Sequence, residues 1–298
     1  MKTIRTVAEL RAELAPLRRT ERTIGLVPTM GALHEGHLSL MRRALEVCDV
    51  VVVSLFVNPA QFTEAADLDI YPRDEARDAS LVDELGVDYL FAPPVSEVYP
   101  PGFATTVSVT GVSAGLEGEH RGPGHFDGVA TVVAKLLNMV SPDVAYFGQK
   151  DAQQTVVIRR LVRDLDIPVR IEICPTIRGA DGLALSSRNA LLSDDERRRA
   201  TALHRALSAV RAAVDDGAQD PASALAQGHS VLERAGVAVE YLSLVDPETM
   251  EPLRELHGDA LAVIAARVGS TRLIDNTLIT DTRTIDNEVA TRLRAPTA

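Results

Sequence analysis

The chain has 298 residues, of which 46% are hydrophobic and 24% are charged. This composition excludes a chain that is disordered throughout, because disordered chains lack the apolar residues that build a core. The formal net charge of −11 argues against a nucleic-acid partner, since such proteins normally present a broad basic face. A small anionic ligand is compatible with this charge, because it needs only a few cations in one cleft.

The N-terminal residues show neither a long apolar stretch nor a cleavage-site pattern, so we expect no signal peptide. We also expect no membrane span, because the sequence lacks a stretch of about 18 uncharged apolar residues. Cys48 and Cys174 are far apart and lie in apolar runs. This placement indicates two buried, reduced thiols rather than a disulfide framework. Together these features predict a cytoplasmic location.

Short β-rich runs alternate with amphipathic stretches through the first part of the chain. Several of the runs are continuous in Val, Ile and Leu, as is typical of parallel strands that are buried on both faces. The alternation predicts an α/β fold, a Rossmann-like doubly wound parallel sheet. The predicted strands are Thr23–Pro28, Val50–Val57, Tyr89–Ala92, Val144–Phe147 and Arg170–Cys174, and the predicted helices are Leu38–Cys48, Asp74–Leu85, Gly128–Met139 and Asp151–Leu165.

The pattern changes after Arg188. Ser193 and Glu196 have the spacing of a capping box, which predicts a long helix to about Val214. A second helix is expected to end at about Ala235. Two strands should follow, Val237–Val245 and Ala260–Val268.

These elements predict a smaller C-terminal α+β domain. We expect a hinge within Ile177–Asn189 and therefore two domains, residues 1–177 and 178–298. The larger domain is expected to hold the ligands and the smaller one to close over them. The tail after about residue 281 is polar and aperiodic, which is typical of a flexible terminus.

The segment Pro28–His37 leaves a strand, turns at a glycine and enters a helix. His34 and His37 are three residues apart, so they face the same way on a helical turn. The N–H groups of a helix N-terminus favour phosphate, and two imidazoles beside them can donate to a phosphoryl oxygen. The spacing fits two structural histidines equally well. A zincin site is weaker, since it needs histidines four apart.

Polar residues follow two further strands. Pro59 ends the strand of Val50–Val57, which places Asn58 and Gln61 on the loop beyond it. Ligands of open α/β sheets bind at this edge, and neutral amides suit hydroxyl and carboxylate groups. Turn formation alone would also explain Asn58.

The segment Phe147–Asp151 again joins a strand to a helix. Lys150 adds a cation at the same sheet edge. Asp151 suits a helix N-terminus or a ribose hydroxyl, and Gln154 lies on the same helical face. A lone lysine is usually a solvated surface charge. However, polar residues at three strand ends are harder to attribute to chance.

Two other segments are rich in polar residues. Leu183–Asn189 offers two hydroxyls and the Arg188 guanidinium, which suit a polyphosphate clamp, although an ordinary serine-rich loop is the alternative. His125 and Asp127 are expected to form a loop and a helix cap, with a role at the substrate as the second choice.

Five segments in order resemble the pantothenate synthetase, or pantoate–β-alanine ligase, family. The closing residues Arg272–Asn276 are also similar to that family, and the resemblance covers nearly the whole chain. The His-x-Gly-His element alone marks only a wider nucleotidyltransferase superfamily, which includes class I aminoacyl-tRNA synthetases. The five segments are PTMGALHEGH, FVNPAQF, GPGHFDGVATVV, YFGQKDAQQ and LSSRN.

The resemblance implies a two-step reaction. The carboxylate of (R)-pantoate attacks the α-phosphate of ATP, with Mg²⁺ bound to the ATP, to give pantoyl adenylate and pyrophosphate. The amine of β-alanine then attacks the acyl carbon, which releases AMP and pantothenate. The family is usually a homodimer. The net charge and the lack of a long apolar stretch, noted above, remain the grounds for expecting no nucleic-acid or membrane partner.

The resemblance implies a role for each matching position. Catalysis would involve His34, His37, Lys150 and Arg188, with His37 as the proton donor. Pantoate would be held by Gln61 and Gln154, with Asn58 supporting the same pocket, and Asp78 would help to bind the metal directly or through water. The ATP site would contain Met30, Gly31, Ala32, Leu33, His34, Glu35, Gly36, His37, Gly148, Gln149, Lys150, Asp151, Ile177, Leu185, Ser186, Ser187 and Arg188.

The sequence departs from the family pattern in two places. Family members often have Met or Glu where Leu185 and Gln149 stand, and the acidic pair near the metal is reduced, with Arg77 beside Asp78.

Two alternative functions are compatible with the sequence. One is another adenylyl-transferring enzyme, whose product would retain AMP, and the other is a nucleotide-binding regulator, which would release no pyrophosphate. The chain length and charge disfavour a tRNA synthetase.

Overall fold

The fold was analysed in a computed structural model, which describes residues 1–62, 68–69, 71–122 and 124–280. These residues divide into two units. The first comprises residues 1–177 and 185–187, and the second comprises residues 178–184 and those from 188 onward. The expected flexible tail after about residue 281 lies outside the described residues.

The first unit is built on a parallel sheet of six strands in the order β1-β4-β3-β2-β5-β6. The predicted α/β sheet is thereby confirmed. The central strands β2 and β3 are buried along nearly their whole length, as expected from their Val/Ile/Leu runs. The strands are β1 Lys2–Ile4, β2 Ile24–Thr29, β3 Val50–Leu55, β4 Tyr89–Phe91, β5 Val144–Gly148 and β6 Arg170–Cys174.

Strand order determines where a ligand can bind. From β2 the chain moves through β3 to β4 in one direction, whereas β5 and β6 extend the sheet in the other. The order therefore reverses between β2 and β5, which pair directly through Gly25 with Val144 and Leu26 with Ala145. A crevice forms at such a point beyond the carboxyl ends of the strands. Thr29 and Gly148 are the last residues of these two strands.

Amphipathic helices cover the sheet. Leu40 and Met41 of α2 and Val82 of α3 share one buried cluster with Val27 and Val53 of the sheet. Helix α6 contacts α1, α7 and β2. The helices of this unit are α1 Val7–Arg19, α2 Glu35–Val47, α3 Glu75–Glu84, α4 Val95–Val98, α5 Glu117–Arg121, α6 Gly124–Val140 and α7 Ala152–Asp164.

The second unit packs helices on an antiparallel sheet of three strands in the order β7-β8-β9. Its core contains Leu203 and Leu207 from a helix and Leu244 and Ile264 from the sheet. The predicted smaller α+β region is confirmed. Its elements are α8 Asp194–Ala200, α9 Ala202–Asp215, α10 Pro221–Arg234, β7 Ala238–Val245, β8 Ala260–Val268 and β9 Thr271–Ile279.

The prediction of one helix from Ser193 to about Val214 was wrong at one residue. Ser193 and Glu196 do form the predicted capping box. The helix is interrupted at Thr201, however, whose hydroxyl donates to the carbonyl of Arg198 at 2.7 Å. A side chain that bonds back to the backbone in this way competes with the helical ladder.

Strand β9 was not predicted. Its sequence includes Arg272, Asp275 and Asn276, and charged residues are depleted in strands. Helix α1 and strand β1 were not predicted either. Within the described residues no helix is both long and apolar enough to cross a membrane.

Candidate active site

The first part of the site is the start of α2, just beyond the end of β2. His34 is the N-cap of this helix: its Nδ1 accepts the N–H of Gly36 at 3.1 Å. His37 reciprocates, because its Nδ1 accepts the N–H of His34 at 3.3 Å. A Cβ at Gly36 would lie 2.9 Å from the His34 ring, so only glycine fits between the histidines. The helix therefore begins at Glu35, three residues before its predicted start.

Both imidazoles are neutral hydrogen-bond donors. Burial, and secondly the charge of Lys150, lower the pKa of His34. Burial, and secondly His34, lower the pKa of His37 to about 3. Each Nδ1 is an acceptor, so each ring carries its proton on Nε2. The ring centroids lie 4.1 Å apart, so the two Nε2–H groups belong to neighbouring rings at the start of α2. This arrangement suits a phosphoryl oxygen.

The loop before the helix is held by Asp78. One carboxylate oxygen of Asp78 accepts the N–H of Ala32 at 2.8 Å and the other accepts the N–H of Leu33 at 2.9 Å. The loop needs this support because Gly31 and Ala32 both adopt positive φ, 86° and 51°. Arg77 donates to the carbonyl of Leu33 at 3.2 Å from the same helix. Asp78 thus positions the loop through its backbone.

These contacts favour a positioning role for Asp78 over direct binding of a metal. Asp78 is only 1% exposed, and both of its oxygens are committed to backbone donors. The described residues also contain no group of three His, Cys, Asp or Glu side chains that could hold a metal ion. The side chain of Glu35 is directed elsewhere too, since it pairs with Arg42 at 3.1 Å.

The second part of the site is the short turn of Pro59–Gln61 that follows β3. Asn58 caps this turn and is 1% exposed. Its Nδ2 donates to Oε1 of Gln61 at 2.9 Å and to the carbonyl of Gly128 at 3.0 Å. Asn58 therefore supports Gln61, which leaves Gln61 as the candidate ligand contact of the two.

Helix α6 fixes the same turn, which the sequence analysis missed. The helix begins at Gly124, so His125 and Asp127 lie in its first turn rather than in a loop. Nδ1 of His125 lies 2.8 Å from the carbonyl oxygen of Gln61. A carbonyl only accepts, so Nδ1 carries the proton and Nε2 is an acceptor. Burial lowers the pKa of His125 to about 4.

Gly128 allows the helix to approach this closely. A Cβ at Gly128 would lie 2.2 Å from the carbonyl oxygen of Ala60, a contact that no side chain tolerates. Because the predicted helix started at Gly128, that glycine was taken as a helix boundary and gave no signal of the close approach.

The third part of the site follows β5. Gln149–Asp151 forms one turn of 3-10 helix and leads into α7. Nζ of Lys150 lies 3.5 Å from Oδ1 of Asp151, and the Lys150 side chain is 17% exposed. The charges of both residues affect the pKa values of His34 and His37, so the structure brings these four side chains together.

The two glutamines at the start of α7 differ in role. Gln153 is buried, accepts the N–H of Glu117 at 2.9 Å and donates to the carbonyls of Val112 and Gly115. Gln154, the predicted pantoate residue, is partly exposed. Gln153 is therefore structural, and of the two only Gln154 is partly exposed.

The family resemblance also implies that Leu185–Arg188 form a flap over the triphosphate, and this segment lies where the chain passes between the units. The N–H of Leu185 donates to the carbonyl of Ile177 at 2.9 Å in the first unit. Residues 185–187 belong to that unit, whereas Arg188 belongs to the second. Ser187–Leu191 forms a 3-10 turn. Residues 178 and 184 form an antiparallel bridge that closes the hairpin before the flap.

A Rossmann-like parallel sheet with a helix that starts at its switch point is an arrangement in which nucleotide phosphates bind. Comparisons with known proteins are more specific. Residues 2–278 match the family described as Pantoate-beta-alanine ligase. The chain is 56% identical over 274 residues to a pantothenate synthetase of Cereibacter sphaeroides, covering 92% of this chain and 98% of that protein.

Solved structures give the same result. The pantothenate synthetase of Thermus thermophilus is 49% identical with a TM-score of 0.89, covering 94% of this chain and 100% of that one. A pantoate-beta-alanine ligase of Francisella tularensis, complexed with Beta-gamma ATP and beta-alanine, is 35% identical with a TM-score of 0.77; the match covers 93% and 97% of the two chains. The chain belongs to the pantoate–β-alanine ligase family.

Proposed function

We propose that this chain condenses (R)-pantoate with β-alanine to pantothenate, using ATP and forming pantoyl adenylate. The observation that carries this proposal is the pair of neutral imidazoles, His34 and His37, beside Lys150 at the switch point of the sheet. Family membership is the reason for naming pantoate and β-alanine as the substrates. The geometry supplies the donors that an attack on a phosphoryl group requires.

The first step is the attack of the pantoate carboxylate on the α-phosphorus of ATP. A bond forms between the carboxylate oxygen and phosphorus, and the bond to the bridging oxygen breaks with loss of pyrophosphate. Negative charge develops on the α-phosphoryl oxygens. The Nε2–H groups of His34 and His37 and the ammonium of Lys150 stabilise that charge.

The second step is the attack of the β-alanine amine on the acyl carbon of pantoyl adenylate. An amide bond forms, AMP leaves with the bonding electron pair, and the amine loses a proton. No covalent intermediate with the protein is needed. We propose that His37 acts in the first step as a neutral hydrogen-bond donor, since its depressed pKa disfavours an imidazolium.

The remaining residue roles are also proposals. Gln61 and Gln154 hold pantoate, with Gln61 also near β-alanine. Asp151 binds the ribose, and Ile177 packs near adenine. Arg188 and the flap before it contact the triphosphate as the second unit closes. The flap and the ATP-lining backbone comprise Met30, Gly31, Ala32, Leu33, Glu35, Gly36, Gly148, Gln149, Leu185, Ser186 and Ser187.

Magnesium is proposed to enter as part of the substrate. Mg²⁺ usually retains several waters and is bound through substrate phosphates with one or two carboxylates. The committed oxygens of Asp78 do not fit direct coordination. We therefore assign the ion to the phosphates of ATP and name no protein ligand. We also propose that the protein is a homodimer and is located in the cytoplasm. Both proposals rest on its family membership. A monomeric mass in solution would overturn the first.

One assay tests the proposed function. ATP, pantoate and β-alanine are supplied together and singly, and AMP and pyrophosphate are quantified. We expect free AMP only when both organic substrates are present. AMP retained in the product would instead indicate an adenylyl transferase. Binding of ATP without pyrophosphate release would indicate a regulator.

A further inference from the structure

Gln61 is the end of a chain of hydrogen bonds that starts at a tyrosine. The hydroxyl of Tyr99 lies 2.7 Å from Oδ1 of Asn58, and Nδ2 of Asn58 lies 2.9 Å from Oε1 of Gln61. Tyr99 follows α4 and is 41 residues from Asn58 in the sequence. The three side chains lie in the first unit and link its interior to the candidate substrate site.

Backbone groups fix the direction of the hydrogen bonds from Tyr99 to Gln61. The N–H of Ala60 donates to Oδ1 of Asn58 at 3.3 Å, and the carbonyl of Gly128 accepts from Nδ2 at 3.0 Å. A backbone N–H can only donate and a carbonyl can only accept. The oxygen and nitrogen ends of the Asn58 amide are therefore determined. It follows that the Tyr99 hydroxyl donates to Oδ1.

The same direction continues to Gln61. Nδ2 of Asn58 is a donor, so it faces the oxygen of the Gln61 amide and leaves the NH₂ group as what Gln61 offers to a ligand. An NH₂ group recognises an oxygen acceptor, such as a carboxylate or a hydroxyl. The backbone of Gln61 is held separately, because its carbonyl accepts from His125.

The surroundings of Tyr99 keep its hydroxyl a donor. The ring packs against Phe103 and Phe56, with centroids 5.1 Å and 6.1 Å away. Burial raises the pKa of Tyr99 to about 12. The phenol consequently stays protonated across the range in which the protein would work.

We propose that Tyr99 is a positioning residue, whose hydroxyl fixes Asn58 and thereby makes Gln61 present its NH₂ group to an oxygen of the acid substrate. This inference rests on the proposed function, because that function places pantoate at Gln61. It adds that Gln61 selects a substrate that presents a hydrogen-bond acceptor to its NH₂ group.

The test compares Tyr99→Phe with Tyr146→Phe. Tyr146 is a control, because it is another tyrosine of the same unit whose hydroxyl has a side-chain partner, Cys48 at 3.3 Å. Loss of one hydrogen bond corresponds to about 2- to 12-fold. We expect Tyr99→Phe to raise the KM for pantoate by that factor, with kcat and the KM for ATP within about twofold of wild type. Tyr146→Phe should leave all three unchanged.

Unchanged pantoate KM in a folded Tyr99→Phe variant would overturn the proposal. So would a parallel loss of kcat in both variants without a change in KM, which indicates a smaller folded fraction. A wild-type chain that forms no pantoate-dependent pyrophosphate would instead overturn the proposed function.

A second comparison keeps the inference testable if Tyr99→Phe does not fold. Gln61→Glu keeps the shape of the side chain but replaces the NH₂ donor with a charged acceptor, whereas Gln61→Met removes both polar groups. If Gln61 donates, Gln61→Glu should raise the KM for pantoate by at least tenfold more than Gln61→Met. An equal or smaller rise of the KM for pantoate in Gln61→Glu would show that Gln61 accepts a hydrogen bond from pantoate. That result would contradict the direction of the hydrogen bonds from Tyr99 to Gln61.

Discussion

His34 and His37 cap the same helix reciprocally, each through its Nδ1. The Nδ1 atom of His34 accepts the N–H of Gly36, and that of His37 accepts the N–H of His34 itself. The pairing fixes both rings at a centroid distance of 4.1 Å and leaves Nε2–H as the group each offers to a ligand. The capping function and the proposed catalytic function therefore use different nitrogens of the same rings.

This separation predicts different results for two substitutions of His37. The amide of Gln reaches the position of Nε2, whereas the amide of Asn reaches that of Nδ1. His37→Asn should retain the cap but lose the donor, and removal of such a donor lowers kcat by about 10²- to 10³-fold. His37→Gln should retain more activity. The measurement is single-turnover pyrophosphate release from ATP and pantoate.

Thermal melting of both variants shows whether they are folded. His257→Gln serves as the control, since the His257 side chain is 84% exposed and belongs to the second unit. Equal pyrophosphate release by His37→Asn and His37→Gln would contradict a role for Nε2.

The sequence predicted the parts of the site that depend on strand ends. Residues 34, 61 and 150 each follow a strand of the sheet closely, and parallel strands bring such residues to one edge. The helix start at residue 152 lies one residue after the predicted start, whereas the start at residue 35 lies three residues before the predicted one. The sheet and most of its helices were therefore predictable from periodicity.

The contacts that support the site were not predictable. Asp275 is buried in β9 because Arg178, 97 residues earlier, neutralises it, and no local pattern reveals that pairing. The same holds for Asp78, whose burial beneath the loop of residues 31–33 converts an expected metal ligand into a backbone anchor. The long separation in sequence between these residues and their partners removes any periodic signal.

Acid should destabilise the protein through its buried histidines. The folded-state pKa is about 3 for His37 and about 4 for His125, below the ordinary value of 6.5, because of burial. Below about pH 6.5 the unfolded chain therefore binds more protons than the folded one, so stability falls as pH decreases toward the folded pKa values. Above pH 6.5 these two groups should contribute no pH dependence.

The measurement is the melting temperature of wild type and His125→Gln between pH 8 and pH 4. We expect a smaller decrease below pH 6.5 in His125→Gln, since one of the titrating groups is absent. His257→Gln should follow wild type. An equal decrease in His125→Gln and wild type would show that His125 is not held neutral in the folded state.

Asp78 should act through the loop that it holds rather than through a metal. Asp78→Ala leaves the N–H groups of Ala32 and Leu33 without their acceptors, at a cost of about 1–3 kcal/mol for each buried group. Asp78→Asn keeps one oxygen and should lose less. Both variants should raise the KM for ATP, in the same order as their loss of stability.

Excess Mg²⁺ distinguishes the two roles of Asp78. If the carboxylate positions the loop, a tenfold higher Mg²⁺ concentration will not restore the activity of Asp78→Ala. Restoration of the activity of Asp78→Ala by Mg²⁺ would indicate that Asp78 contributes to metal binding. Urea unfolding of the same variants measures which of them loses more unfolding free energy.

The Arg178–Asp275 ion pair should contribute strongly to the stability of the second unit. Arg178 donates to both oxygens of Asp275, at 2.6 Å and 2.9 Å, and the Asp275 side chain is 3% exposed. Removing one partner leaves a buried charge without compensation, which costs about 3–5 kcal/mol. Asp275→Asn should lower the unfolding free energy by an amount near this range. The double variant Arg178→Met/Asp275→Leu should recover much of the loss, because apolar groups replace both charges.

Glu240→Gln is the control for this ion pair. Glu240 pairs with Arg267 and Arg272 in the same sheet but is 15% exposed. More exposed pairs contribute less, about 1 kcal/mol or below. Urea unfolding of the three variants measures these differences. A loss for Asp275→Asn no larger than that for Glu240→Gln would mean that the pair does not hold the hairpin of residues 178–184 against β9.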